Sequence, residues 1–153
     1  MKRLTTILVG IADGFRVRRV TQETSRKVLI VDDDASVREF LNAVLTAAGY
    51  QTTVSADGPD ALAAFEDAGP FDVVLTDVMM PQMRGYELAR RVRQGHSDTK
   101  VLYLTGYADA LFAEKSALWE GEAFLDKPCT PDGVLEAVAL LLHGDAPQKT
   151  MWS

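Results

Sequence analysis

From residue 28 onward, short apolar runs alternate with segments in which apolar residues recur at helical spacing. "VLIV" (28–31) runs into Asp32, Asp33 and Asp34. Val37, Phe40, Leu41, Val44, Leu45 and Ala48 then recur at i, i+3, i+4, i+7, i+8 and i+11, which predicts one buried helix face closed by Gly49. "YQTTVS" (50–55) reads as a half-buried strand, and "DGPDALAAFEDAG" (57–69) as a short helix with Leu62 and Phe65 inward. "FDVVLT" (71–76) predicts a third strand, followed after Gly85 by a helix carrying Tyr86, Ala89 and Val92. A fourth strand is expected at "KVLYLT" (100–105), a weaker helix over 108–119 and a fifth strand at "EAFLD" (122–126). Thr130-Pro131 caps and opens a last helix through Val134, Leu135, Val138, Leu141 and Leu142.

Five strands, each followed by a helix, predict an α/β domain with a parallel sheet covered on both faces. In such open sheets the ligand site lies beyond the carboxyl ends of the strands. Composition narrows this picture. A chain of 153 residues, 47% hydrophobic and 25% charged, suits one soluble globular domain. "AVALLL" (137–142) is far too short to span a membrane. A net charge of -6 argues against a general nucleic-acid binder. Cys129 is alone, which excludes an internal disulfide and fits a reducing, cytoplasmic compartment.

The first residues differ from the rest. Residues 1–27 hold seven Lys and Arg against two acidic residues. "LTTILVGIA" resembles a signal-peptide core, but Asp13 and an Arg-rich run stand where small cleavage-site residues belong. "TILVGI-ADG-FRVRRV" has the pattern of a hairpin around Asp13-Gly14, yet isolated hairpins are marginal, so a loosely ordered basic extension over 1–26 is the preferred expectation. The folded domain is expected over 27–142 and a tail over 143–153.

The strand ends carry the candidate chemistry. Asp32, Asp33 and Asp34 follow strand one, Asp77 strand three, Thr105 ends strand four, and Lys127-Pro128 follows strand five. Carboxylates gathered at one edge repel one another, and a hard divalent cation such as Mg²⁺ is the simplest remedy. A metal, a carboxylate nucleophile, a lysine and a hydroxyl are the parts of phosphoryl transfer. Singly, each has a plainer role: Asp34 before "ASVREFL" suits a helix cap, and Lys127 a solvated surface charge. Four strand ends with compatible groups are much harder to obtain from packing alone.

"VLIVDDD", "FDVVLTDVMMP", "VLYLTGYAD" and "FLDKPCTPDGVLEAV" resemble, in order and spacing, the receiver domain of bacterial two-component response regulators, stand-alone or attached to hybrid kinases. The resemblance implies a flavodoxin-like, doubly wound sheet of order 2-1-3-4-5. It implies that Asp77 is the phosphoacceptor, attacking the phosphohistidine of a histidine kinase or histidine phosphotransfer protein. Asp33, Asp77 and the Met79 carbonyl would hold Mg²⁺ (or Mn²⁺), with Asp32 reaching it through water. Lys127 would pair with the acceptor and then with phosphoryl oxygens, and Thr105 would swing to the phosphoryl group with Phe124 moving inward behind it. Gly106 would leave room for that group, Met79 and Tyr107 would govern water access, and the Lys127-Pro128 bond would be cis.

Three aspartates in a row leave the metal pair ambiguous by one residue, and Asp32 with Asp33 is chosen because the apolar strand ends at Val31. Cys129 stands where the family often has an aromatic, and Phe124 brings no hydroxyl to the switch. Tyr107 and Trp119 are the candidates for an exposed output face, whereas Leu111 and Leu118 read as core. His96 and His143 read as ordinary surface residues. Output is expected through a downstream protein target, with no nucleic acid or membrane partner, from a monomer or a weak phosphorylation-dependent dimer. Two alternatives remain. One is an interaction module independent of phosphorylation, and the other is a haloacid-dehalogenase-type phosphatase, whose nucleophile motif Asp32-x-Asp34 mimics.

Overall fold

The computed structural model describes residues 3–11, 14–22, 25–106 and 117–143. Strands β1 (Arg3–Ile11) and β2 (Gly14–Gln22) pair antiparallel, in register from Arg3↔Gln22 to Ile11↔Gly14. For these residues the structure has the hairpin and not the loose extension preferred from sequence. Two nine-residue strands supply a long ladder, which the marginal stability of short hairpins does not capture.

The remaining elements are β3 (Lys27–Val31), α1 (Ala35–Ala47), β4 (Gln51–Ser55), α2 (Gly58–Ala68), β5 (Val73–Asp77), α3 (Gly85–Gly95), β6 (Lys100–Thr105), β7 (Glu122–Asp126) and α4 (Pro131–His143). Strands β3 to β7 form one parallel sheet in the order β4-β3-β5-β6-β7, the predicted 2-1-3-4-5 arrangement. Successive side chains of a strand point to opposite faces, so each central strand feeds two cores. Val28 and Ile30, Val73 and Leu75, and Leu102 and Leu104 pack with Leu41 and Leu45 of α1 and with Val134 and Val138 of α4. On the other face, Leu29, Val31 and Val74 meet Phe65 of α2 and Leu88 and Val92 of α3.

Local signals explain the element ends. Asp34 caps α1, its Oδ1 accepting from the Ser36 and Val37 N–H groups at 2.8 and 3.4 Å. Gly49 holds φ +95, the left-handed conformation that ends helices after their last turn. Thr130 Oγ1 accepts from the Gly133 N–H at 3.0 Å and starts α4.

Several boundaries shift from those expected. The third sheet strand runs over Val73–Asp77 rather than 71–76: Phe71 lies buried before it, the Asp72 carboxylate accepts from the Lys27 N–H at 2.7 Å, and Asp77 still pairs with Leu104 of β6. Asp77 is therefore the last residue of β5. Ala48 is exposed as the C-cap of α1 instead of lying on its buried face. Residues 117–119 are not helical, and the rest of the helix expected over 108–119, with Tyr107 and Leu111, lies outside the described residues.

Leu45 is fully buried between α1 and the sheet. Replacing it by alanine is expected to cost about 2–5 kcal/mol, read from urea unfolding with an unchanged slope. A loss below about 1 kcal/mol would mean that α1 is not held by this face.

Candidate functional site

Asp32 leaves β3 with no exposure to solvent. A buried carboxylate is tolerable only if paired and hydrogen-bonded. Its Oδ2 accepts from Lys127 Nζ at 2.7 Å, and its Oδ1 from the Asp34 N–H at 2.9 Å. Its carbonyl accepts from Arg38 Nη1 at 2.7 Å. Asp33, the next residue, is exposed. Asp77 at the end of β5 points its Oδ2 toward the same lysine, 3.5 Å from Nζ, and its Oδ1 accepts a long bond from the Met79 N–H at 3.4 Å. Carboxylate oxygens of Asp32, Asp33 and Asp77 lie within 4.8 Å of one another.

The electrostatics follow from this crowding. Burial pushes the Asp77 carboxyl above its ordinary range; Lys127 opposes the shift, and the like charges of Asp32 and Asp33 add to it. Burial alone would depress the Lys127 ammonium, but the hydrogen bond and charge of Asp32, with Asp77 behind them, outweigh it and raise the group. One ammonium thus faces two of the three grouped carboxylates. This set of hard oxygen donors fits Mg²⁺ and, equally by donor type, Mn²⁺.

The other residues singled out in the sequence take these places. Thr105 is buried at the end of β6, and its carbonyl accepts from the Lys127 N–H at 2.9 Å. Phe124 stands opposite Tyr103 in the β6–β7 ladder and packs, half-buried, against the cluster of Val78, Ala89, Val101 and Tyr103. The Lys127–Pro128 bond is cis. Among the described residues nothing lies within 4 Å of where a Cβ on Gly106 would stand. Met79 is 42% exposed beside Asp77, while Tyr107 lies outside the described residues. Asp34 is turned into the α1 cap, where its bonds to Ser36 hold its carboxyl below the usual range, and so it does not join the acidic group. Gly85 is required where it is, since a side chain there would run into the Asp77 carbonyl oxygen.

Arg38 escaped the sequence reading. Its only signal was a basic residue in the first turns of the helix that follows the aspartates, which is indistinguishable from a solvated face. A cleft of about 460 Å³ also opens beside the site, lined mostly by apolar groups of Val37, Phe40, Leu41, Leu104, Pro128 and Cys129, with Lys127 at its edge.

Residues 28–139 match the family described as response regulator receiver domain. The chain is 37% identical over 109 residues to a probable transcriptional regulator, ycf27, of Guillardia theta, covering 71% of this chain and 42% of that protein. It is 35% identical over 103 residues to the response regulator receiver protein CpdR of Brucella abortus, covering 67% of this chain and 85% of that one. The solved structure of the response regulator TrrA of Thermotoga maritima, in complex with Mg²⁺ and BeF, superposes with a TM-score of 0.68 at 31% identity, over 76% of this chain and 99% of that one.

A raised Asp77 carboxyl means that the folded state binds this proton more tightly than the unfolded state. Without divalent cations, stability is therefore expected to fall as pH rises from the ordinary aspartate range, about 3.9, through the raised value. Asp77→Asn removes that dependence and melts higher than the wild type at pH 7, by a few degrees. Thermal melts in chelator across pH 4–8 check this, and identical curves for the two proteins would contradict it.

Proposed function

The chain belongs to the family of response regulator receiver domains, and we propose that it is a phospho-accepting switch of a two-component phosphorelay with Asp77 as the acceptor. The observation that carries this is the Lys127 ammonium set between a buried carboxylate, Asp32, and a half-buried one, Asp77, at the carboxyl edge of the sheet. An Asp77 oxygen attacks the phosphorus of a kinase or phosphotransfer phosphohistidine. The O–P bond forms, the P–N bond breaks, and the imidazole keeps the bonding pair and takes up a proton. Asp33, Asp77 and the Met79 carbonyl, with Asp32 behind them, are the groups that would hold Mg²⁺, which when bound supplies positive charge to the phosphoryl oxygens. Lys127 supplies the same on the protein's own account. As a signalling switch it catalyses its own phosphoryl transfer and dephosphorylation.

Phosphorylation adds a charge of about -1.5 to -2 and three strong acceptors at the end of β5. Thr105 and Lys127, joined by their backbone bond, are two groups able to answer it. Movement of Thr105 toward the phosphoryl group and of Phe124 into the space behind it would favour a second packing of the β6–β7 region, a population shift read by a downstream protein. Trp119, 52% exposed just before β7, belongs to that surface. The apolar cleft between α1 and Pro128-Cys129 lies beside Lys127, where the histidine-bearing partner would seat.

Intact-mass spectrometry after incubation with a small acyl phosphate tests the reading. The expected result is one added phosphoryl group that requires Mg²⁺ and is absent from Asp77→Asn. No label on the wild type would favour a phosphorylation-independent interaction module. With Met79 beside the acceptor, the label is expected to outlast the first minute and to be lost faster in Met79→Gly; rapid loss from the wild type would contradict the shielding role.

A further inference from the structure

Among the described residues, three cations stand around Asp77 and the loop after it, and they differ in what holds them. Lys127 is engaged with Asp32 and Asp77, and Arg38 with the Asp32 carbonyl. Arg84 is different: its Nη1 lies 3.1 Å from the Met79 sulfur, and a thioether is a weak acceptor for a guanidinium. The acid nearest in sequence on α3, Glu87, is already taken by Arg91 at 3.1 Å and Arg90 at 3.6 Å. Met79 in turn donates its N–H to Asp77 Oδ1, so Arg84 is parked on the residue that borders the acceptor.

Nothing about the helix asks for an arginine at this position. Arg84 is the N-cap residue of α3 and makes no side-chain capping bond. Ser, Thr, Asp or Asn would cap there, and a positive charge opposes the helix dipole. Two residues earlier, Gln82 holds φ 71, a conformation uncommon outside glycine. The Gly85 N–H bonds the Val78 carbonyl at 3.0 Å, and Gly85 packs on the Asp77 carbonyl, which fixes the loop against the acceptor. A loop that forgoes a cap and holds a left-handed backbone beside a reactive carboxylate breaks local rules where function is expected to break them.

We propose that Arg84 is a positioning residue for the phosphoryl donor, its guanidinium leaving the Met79 sulfur for the oxygens of the arriving phosphoryl group. This rests on the phosphoacceptor reading of Asp77. A dianionic donor must approach three carboxylates, and a planar guanidinium matches phosphoryl oxygens in geometry as well as charge. Arg84 forms no covalent bond and exchanges no proton: Asp77 oxygen bonds to phosphorus as the bond to the leaving group breaks, and the leaving group keeps the bonding pair.

Initial rates of phosphoryl uptake from acetyl phosphate at saturating Mg²⁺, with thermal midpoints in parallel, test this on the wild type, Arg84→Ser and Arg84→Lys. Arg84→Ser supplies a cap and removes the opposing charge, so it is expected to melt higher, yet to load about tenfold more slowly and with a flatter dependence on salt. Arg84→Lys keeps the charge and recovers part of the rate. A purely structural Arg84 would move rate and stability together. Loading of Arg84→Ser within about twofold of the wild type overturns the proposal while leaving Asp77 as acceptor. Absence of loading in the wild type overturns the acceptor reading and this one with it.

Discussion

The Asp32–Lys127 pair is the interaction on which the site depends. It joins residues 95 positions apart, the end of β3 to the turn after β7, across a carboxylate with no access to water. Such a pair contributes little net stability, because both charges lose hydration; its value lies in what it positions. With Nζ drawn to Asp32, the ammonium stands 3.5 Å from Asp77 and opposes the upward push that burial and two neighbouring carboxylates give that carboxyl. The backbone bond from the Lys127 N–H to the Thr105 carbonyl carries that geometry to β6.

The sheet makes this economical. Parallel strands covered on both faces bring all their carboxyl ends to one edge, and the two-residue alternation of β3, β5 and β6 sends neighbouring side chains to opposite cores. The site residues sit where the strands run out, beyond the apolar positions of the core, and Asp32, fully buried there, is held by its bonds to Lys127 and the Asp34 N–H. Helix α1 closes the arrangement, with Asp34 capping its first turn and Arg38 returning to the Asp32 carbonyl.

Much of this was legible in the sequence, because periods of two and of three to four residues reflect burial directly. The parallel sheet and the placing of Asp32, Asp33, Asp77, Thr105 and Lys127 at its strand ends follow from periodicity and spacing, whereas the strand order came from the resemblance to receiver domains. The burial of Asp32, exposure of Asp33 and capping role of Asp34 separate three identical residues that spacing alone cannot distinguish. What stayed hidden depends on tertiary approach. Arg38 reads as a surface charge until its carbonyl partner is known, and Arg84 as one more basic residue until its missing cap and its sulfur contact are seen together. Strand β5 ends one residue later than its apolar run suggests, because Asp77 still pairs with Leu104 of β6.

The central claim is that the carboxylate at the end of β5, and none of those after β3, is the nucleophile. An acyl phosphate can be reduced by borohydride to the corresponding alcohol, marking the aspartate that carried it. Peptide mapping of the acetyl-phosphate-loaded, reduced protein is predicted to find the alcohol at position 77 alone. Its appearance at 32, 33 or 34 would contradict the account and point instead to a phosphatase-like nucleophile on the first strand of the parallel sheet.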